Sequence, residues 1–178
     1  MPSSNKQTPS QVFQQKNHIP DPDKILEKMR YFCSYRERSL KETELKLRAL
    51  QLPQGKIKGI LEQLSEEGLL SDDRFARAFV RGKWRVNHWG RIKITYELRA
   101  KQIPGRTITA ALGEIEEDAY LAQLRDLMVK KDKDIRQNKK KENKSGKTLN
   151  FRDKLFNFAL GKGYEHDLIR EILDELKI

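Results

Sequence analysis

A single cysteine, Cys33, stands among 178 residues, which excludes an internal disulfide and any cysteine-rich metal site. It falls in an apolar helical pattern, so a small buried hydrophobe is its expected role. No apolar run approaches the length of a membrane span, and the first residues lack the apolar core of a secretion signal. The cytoplasm is therefore the expected compartment. Aromatic residues make up only 8% of the chain, which suits thin helical layers better than one large core. Strand signals are missing throughout. Catalytic constellations are missing as well. His18, His88 and His166 lie far apart, with no His-Glu-x-x-His pairing and no metal-ligand spacing. Ser39 and Ser71 have helix starts to cap and no evident base nearby. Asp72-Asp73 reads more simply as a helix cap and first-turn acid than as a metal pair. The expectation is a protein that is not an enzyme and carries no cofactor.

Charge is what the chain has in quantity. Charged residues are 35% of the total and the net charge is +11. The excess is uneven: residues 71–113 carry a net +7 and residues 130–147 a net +6, with −4 over 114–129 between them. Two separate basic blocks suggest an anionic partner. The second block is almost free of apolar side chains and reads as a solvated helix extension or a loop, its Lys139-Lys140-Lys141 and Lys144-Ser145-Gly146 stretches favouring a loop. Asn143 to Thr148 imitates the end of a phosphate-binding loop. Lys141 stands where that pattern needs glycine and no strand precedes it, so the motif is rejected.

One apolar pattern recurs three times. Leu47, Leu52, Ile57, Ile60 and Leu61 align with Leu98, Ile103, Ile108, Ala111 and Leu112 at an offset of 51, and these with Ala159, Tyr164, Ile169, Ile172 and Leu173 at a further 61. Pro53 falls on Pro104, and Lys101 on Lys162. Such recurrence marks one supersecondary unit used in tandem. The reading is an all-α chain of three three-helix, helix-turn-helix-like modules at 21–70, 71–113 and 114–178, after a disordered polar tail at 1–20. The first module places Ile25, Leu26, Met29, Phe32 and Cys33 on one face, then Leu45, Leu47 and Leu50, then Ile57, Ile60, Leu61 and Leu64 before a left-handed stop at Gly68. The second opens at Ser71-Asp72-Asp73 with Phe75, Phe79, Gly82 and Val86 on one face, and breaks at Pro104-Gly105. The third begins with Tyr120, Leu124, Leu127 and Met128.

The segment from Arg81 to Lys93 holds five cations, no carboxylate and two tryptophans. That mixture suits phosphate contact by Lys and Arg, with Trp84 and Trp89 available for base stacking or cation–π packing, or else for filling a module junction. The expected contact set is Arg77, Arg81, Lys83, Arg85, Arg91 and Lys93, with Arg38 and Lys41 as weaker members.

These ordered motifs resemble the RecX family, bacterial regulators of the RecA recombinase. Arg38-Ser39, Glu42 and Lys46-Leu47 match its first element. Asp73-Arg74-Phe75-Ala76 and Gly90, Lys93-Ile94, Glu97-Leu98 match its second, and Phe158 with Lys162-Gly163-Tyr164 its third. Thr43 and Ala159 stand where the family usually has leucine, Lys93 where it has arginine, and Gly161 where it has a larger residue. The resemblance implies an elongated, curved body, and a monomer is the expected state. It also implies binding to RecA–single-stranded-DNA filaments along their groove, lowering ATPase, strand-exchange and coprotease activity, with weaker DNA binding, in the setting of homologous recombination, DNA repair and the SOS response. Two other classes share some of these features. A helix-turn-helix transcription factor would be a dimer with one preferred duplex site, and a nuclease would gather Mg²⁺ on carboxylates such as Asp72 and Asp73.

Overall fold

Helix starts in this chain are set by side chains that hold a free backbone amide or by a residue already in the extended region. Asp21 accepts from the Asp23 N–H at 3.2 Å ahead of α1 (Pro22–Tyr35), whose Pro22 needs no amide partner. The Ser39 hydroxyl accepts from the Glu42 N–H at 3.1 Å ahead of α2 (Leu40–Arg48). Pro53 precedes α3 (Gln54–Glu66), and the Ser71 hydroxyl accepts from the Arg74 N–H at 3.3 Å at the start of α4 (Asp72–Arg85). Gly90 precedes α5 (Arg91–Ala100), Pro104 precedes α6 (Gly105–Leu112), and α7 (Glu117–Lys139), α8 (Phe151–Lys162) and α9 (His166–Glu175) complete the order. The computed structural model describes residues 21–139 and 151–177, and among the described residues every regular element is a helix. The tail at 1–20 and the segment Asn143–Thr148 lie outside them. The first part of the second basic block, up to Lys139, continues α7 as helix.

The threefold repeat is visible as a repeated helix stop. Gln51, Gln102 and Gly163 occupy equivalent places, and all three have positive φ, at 58°, 60° and 87°. In each, the left-handed residue donates back to a carbonyl three residues earlier: Gln51 to Arg48, Gln102 to Arg99 and Gly163 to Leu160, at 2.9, 2.8 and 2.8 Å. This closes the middle helix of the triplet and turns the chain so that the next residue, Leu52, Ile103 or Tyr164, drops into the core. Four of the five recurring positions are buried in every copy; the fifth, Leu61, Leu112 or Leu173, is half-buried in the first two and buried in the third. A fully buried leucine or isoleucine contributes about 1.5–3 kcal/mol over an exposed one, which is why the pattern survives as a signature.

Local corrections concern side chains read from periodicity. Leu45 and Leu50 are 53% and 38% exposed, because α2 spans only nine residues and buries Thr43 and Leu47 instead. Thr43, standing in a leucine position, is fully buried with its hydroxyl donating to the Ser39 carbonyl at 3.0 Å. Val86 is 76% exposed at the frayed end of α4, whose buried face is Phe75, Ala76 and Val80.

The buried apolar side chains fall into two clusters rather than three. Ten residues from Ile25 to Leu70 form one under α1–α3, and eighteen from Phe75 to Leu173 form a single core shared by α4–α9. The second and third triplets are thus one packed body. The first joins them through polar contacts.

Candidate nucleic-acid and partner interface

The joints between triplets follow one plan, and they account for several of the charged residues singled out above. The first amide of α2, Leu40 N–H, donates to Asp72 Oδ1 of α4 at 2.9 Å, and the equivalent amide of α5, Arg91 N–H, donates to the Tyr120 hydroxyl of α7 at 2.9 Å. The first two middle helices, α2 and α5, therefore have their positive ends closed by a side chain of the following triplet. Burial pushes the Asp72 carboxyl up, opposed by the Leu40 hydrogen bond. The Tyr120 hydroxyl donates a hydrogen bond to Glu165 at 2.7 Å; burial raises its pKa most, the Arg91 amide opposes this, and Glu165 raises it further. The repeated lysines reach backwards in the same way. Lys101 pairs with Glu42 at 2.6 Å, and Lys162 donates to the Asn87 carbonyl at 3.2 Å.

The second joint is also a backbone contact. Gly90 N–H donates to the Lys162 carbonyl at 2.9 Å and Ile92 N–H to the Gly163 carbonyl at 3.1 Å. A Cβ on Gly90 would lie 2.2 Å from the Gly163 oxygen, and one on Gly163 would lie 2.3 Å from Lys93 Cβ. Only glycine permits this approach.

Against that frame of contacts the basic set divides. Arg77, Arg81 and Arg85 recur every four residues and share one stripe of α4. Arg77 is paired with Asp73 at 2.9 Å and also with Glu114, and Arg81 reaches Glu114 at 3.5 Å. Arg91 pairs with Glu117 at 2.7 Å and lies 4.1 Å from the centre of the Tyr120 ring. Burial lowers its pKa, but the Glu117 and neighbouring charges outweigh this and the net direction is up. Arg91 is thus part of the second joint. Lys83, Arg85 and Lys93 form no ion pair among the described residues. Lys83 and Lys93 both stand over the Trp89 ring, at 4.8 and 4.7 Å, and Arg85 stands 5.6 Å from the Trp84 ring. Both tryptophans are half-buried against the large core, and Trp84 encloses its Nε1–H without a partner among the described residues. Cations lie over their rings while their bodies pack against the core. Arg38 and Lys41 lie apart in the first triplet. Arg38 covers Phe32 at 3.9 Å, its pKa lowered chiefly by burial, and Lys41 pairs with Glu44 at 3.3 Å.

Two features went unread in the sequence. Val86, Ile92 and Tyr96 are 76%, 50% and 71% exposed around the same cations, and the i, i+4 spacing of Ile92 and Tyr96 was the signal that could have shown it. On the first triplet, Tyr31 and Tyr35 are 75% and 78% exposed beside a groove of about 720 Å³. Cys33 is buried as expected, its thiol pushed up by burial. Among the described residues no cluster of His, Cys, Asp or Glu could hold a metal ion, and no helix is long and apolar enough to cross a membrane.

The architecture defines the class: a tandem array of helix triplets, all-α among the described residues. Residues 71–112 match the family model described as RecX, second three-helix domain. The regulatory protein RecX of Prosthecochloris aestuarii is 31% identical over 88% of this chain and 95% of its own length. That of Halalkalibacterium halodurans is 28% identical over 83% of this chain, which spans only 53% of that protein. The crystal structure of RecX from Lactobacillus salivarius shares the fold with a TM-score of 0.73 at 24% identity, covering 88% of this chain and 96% of that one. The chain belongs to the RecX family of regulatory proteins.

Proposed function

We propose that this protein is a non-enzymatic regulator that binds RecA–single-stranded-DNA filaments and lowers their ATPase, recombinase and coprotease activities. It acts as a monomer in the cytoplasm, with weaker, sequence-independent binding to single-stranded DNA. The carrying observation is the group of Lys83, Arg85 and Lys93 around Trp84 and Trp89, cations with no carboxylate partner among the described residues, beside the exposed Val86, Ile92 and Tyr96. Cations that lack a carboxylate attract an acidic or phosphate surface, although Lys93 also donates to the Gly161 carbonyl at 3.4 Å, and adjacent apolar side chains add the desolvated contact that charge alone lacks. Arg77 and Arg81 extend the stripe, and their exposed pairs with Asp73 and Glu114 are weak enough to exchange for a partner's charge. Regulation by occupancy needs no reacting group.

The test is DNA-dependent ATP hydrolysis by the cognate RecA as the protein is added. A fall to a plateau supports the reading, and an unchanged rate at saturating protein ends it. A mobility shift that strongly prefers one duplex sequence would favour transcriptional control instead.

A further inference from the structure

We infer that the groove on the first triplet is a second nucleic-acid site, which stacks unpaired bases of a single strand on Tyr31 and Tyr35. The inference rests on the single-strand-binding part of the proposed function and adds a place to it. Tyr31 and Tyr35 stand on the same face of α1, one turn apart and so about 6 Å along the axis. Both are exposed, at 75% and 78%, and neither ring has an aromatic or cationic partner among the described residues. Large exposed aromatics paired on one helix face are unusual on a surface this polar, where the other exposed residues of α1 are Asp23, Lys24, Glu27, Lys28, Pro22 and Ser34.

The groove they border, about 720 Å³, is lined by four cations, Lys24, Lys28, Arg38 and Lys46, and by one carboxylate, Glu27. Arg38 and Lys46 both lie over the Phe32 ring, at 3.9 and 4.7 Å, which holds two positive groups in the groove wall. Exposed flat rings and cations lining one groove are the two requirements of sequence-tolerant single-strand binding: π-faces for bases and charge for the backbone. A duplex offers no free base faces to such rings. An acidic peptide would satisfy the cations but leaves two exposed rings one helical turn apart unused, so the single strand is the better occupant.

The experiment is anisotropy of a labelled oligothymidylate at low salt, with an abasic oligomer of the same length as the comparison. The full-length protein is compared with its Tyr31→Ala/Tyr35→Ala and Tyr31→Phe/Tyr35→Phe forms, each verified by its circular-dichroism melt. Loss of two stacked bases should weaken oligothymidylate binding about 30-fold or more in the alanine form. The phenylalanine form should bind as the parent does, and the abasic oligomer should bind all three alike. Lys28→Glu/Lys46→Glu should weaken both oligomers. Parent-like oligothymidylate binding by the alanine form, or equal losses on both oligomers, would overturn the stacking site. So would an alanine form that keeps its DNA affinity but no longer lowers RecA ATPase, since the groove would then be a protein contact. Because the parent's ATPase effect is read separately, the site and the regulator reading fail independently.

Discussion

The three substitutions Gly68→Ala, Gly90→Ala and Gly163→Ala separate the two reasons a glycine is needed. Gly68 has φ of 69° with open space where a Cβ would stand, so alanine there meets only the left-handed backbone cost, about 1–2 kcal/mol. Gly90 has φ of −78°, an ordinary value, but its Cβ would be driven to 2.2 Å from the Gly163 oxygen. The strands of backbone must part, and the hydrogen bonds from Gly90 and Ile92 are lost at about 1 kcal/mol each. Gly163→Ala combines both, with φ of 87° and a Cβ 2.3 Å from that of Lys93, for a total of about 3–4 kcal/mol. Total stability of ordinary domains is about 5–15 kcal/mol, so this is a large fraction. Urea unfolding followed by circular dichroism should place Gly68→Ala nearest the parent and Gly163→Ala furthest, its midpoint lower by roughly 1–2 M for a slope of about 2 kcal/mol per M. A Gly90→Ala form that unfolds with the parent, or a Gly68→Ala form as weak as Gly163→Ala, would refute the close-approach argument.

Tyr120→Phe should cost about 1–3 kcal/mol in the same assay, since it strands the Arg91 amide and the Glu165 carboxylate. Asp72 has its folded pKa raised above the ordinary 3.8, so its protonation favours the folded state and that contribution fades as pH rises through the window above 3.8. Asp72→Asn keeps an acceptor for Leu40 and should flatten this acid-side slope; an unchanged slope in paired urea titrations would argue against it. Reversing Lys83 and Arg85 to glutamate should abolish suppression of RecA ATPase while leaving the thermal melt in place. Binding to single-stranded DNA, if about five phosphates are met, should weaken on the order of 100-fold between 50 and 200 mM salt, read as a slope near −3.5. Residues 71–178, cut free of the first triplet, should fold and melt cooperatively because their core is continuous.

Much of the fold was legible because the repeat is anchored at helix ends. Leu47, Leu98 and Ala159 precede a left-handed stop, and Leu52, Ile103 and Tyr164 follow it, so backbone geometry and burial reinforce the same positions. Periodicity failed where a helix was short or ending, as at Leu45, Leu50 and Val86, and where alanine did the packing, as at Ala76. The basic character of α4 and α5 was legible, but not its division into joint and surface. Arg91 and Lys83 look alike in sequence; what separates them is Glu117, Tyr120 and Glu165 arriving from 26 or more residues away. The closure of α2 by Asp72 was hidden for the same reason, since Asp72 also fits as a first-turn acid of its own helix. Tyr31 and Tyr35 escaped notice because they sit off the apolar stripe that identified α1.

The joint between the first triplet and the rest is made of Glu37 with Arg74, Glu42 with Lys101 and Asp72 with the Leu40 amide, with no apolar cluster spanning it. Ionic links weaken as electrolyte rises, whereas the second joint has a continuous apolar core beneath its Arg91 ion pairs, and that core does not respond to salt. Added salt should therefore loosen the hold of α1–α3 on α4 and α5 before it disturbs the core shared by α4–α9.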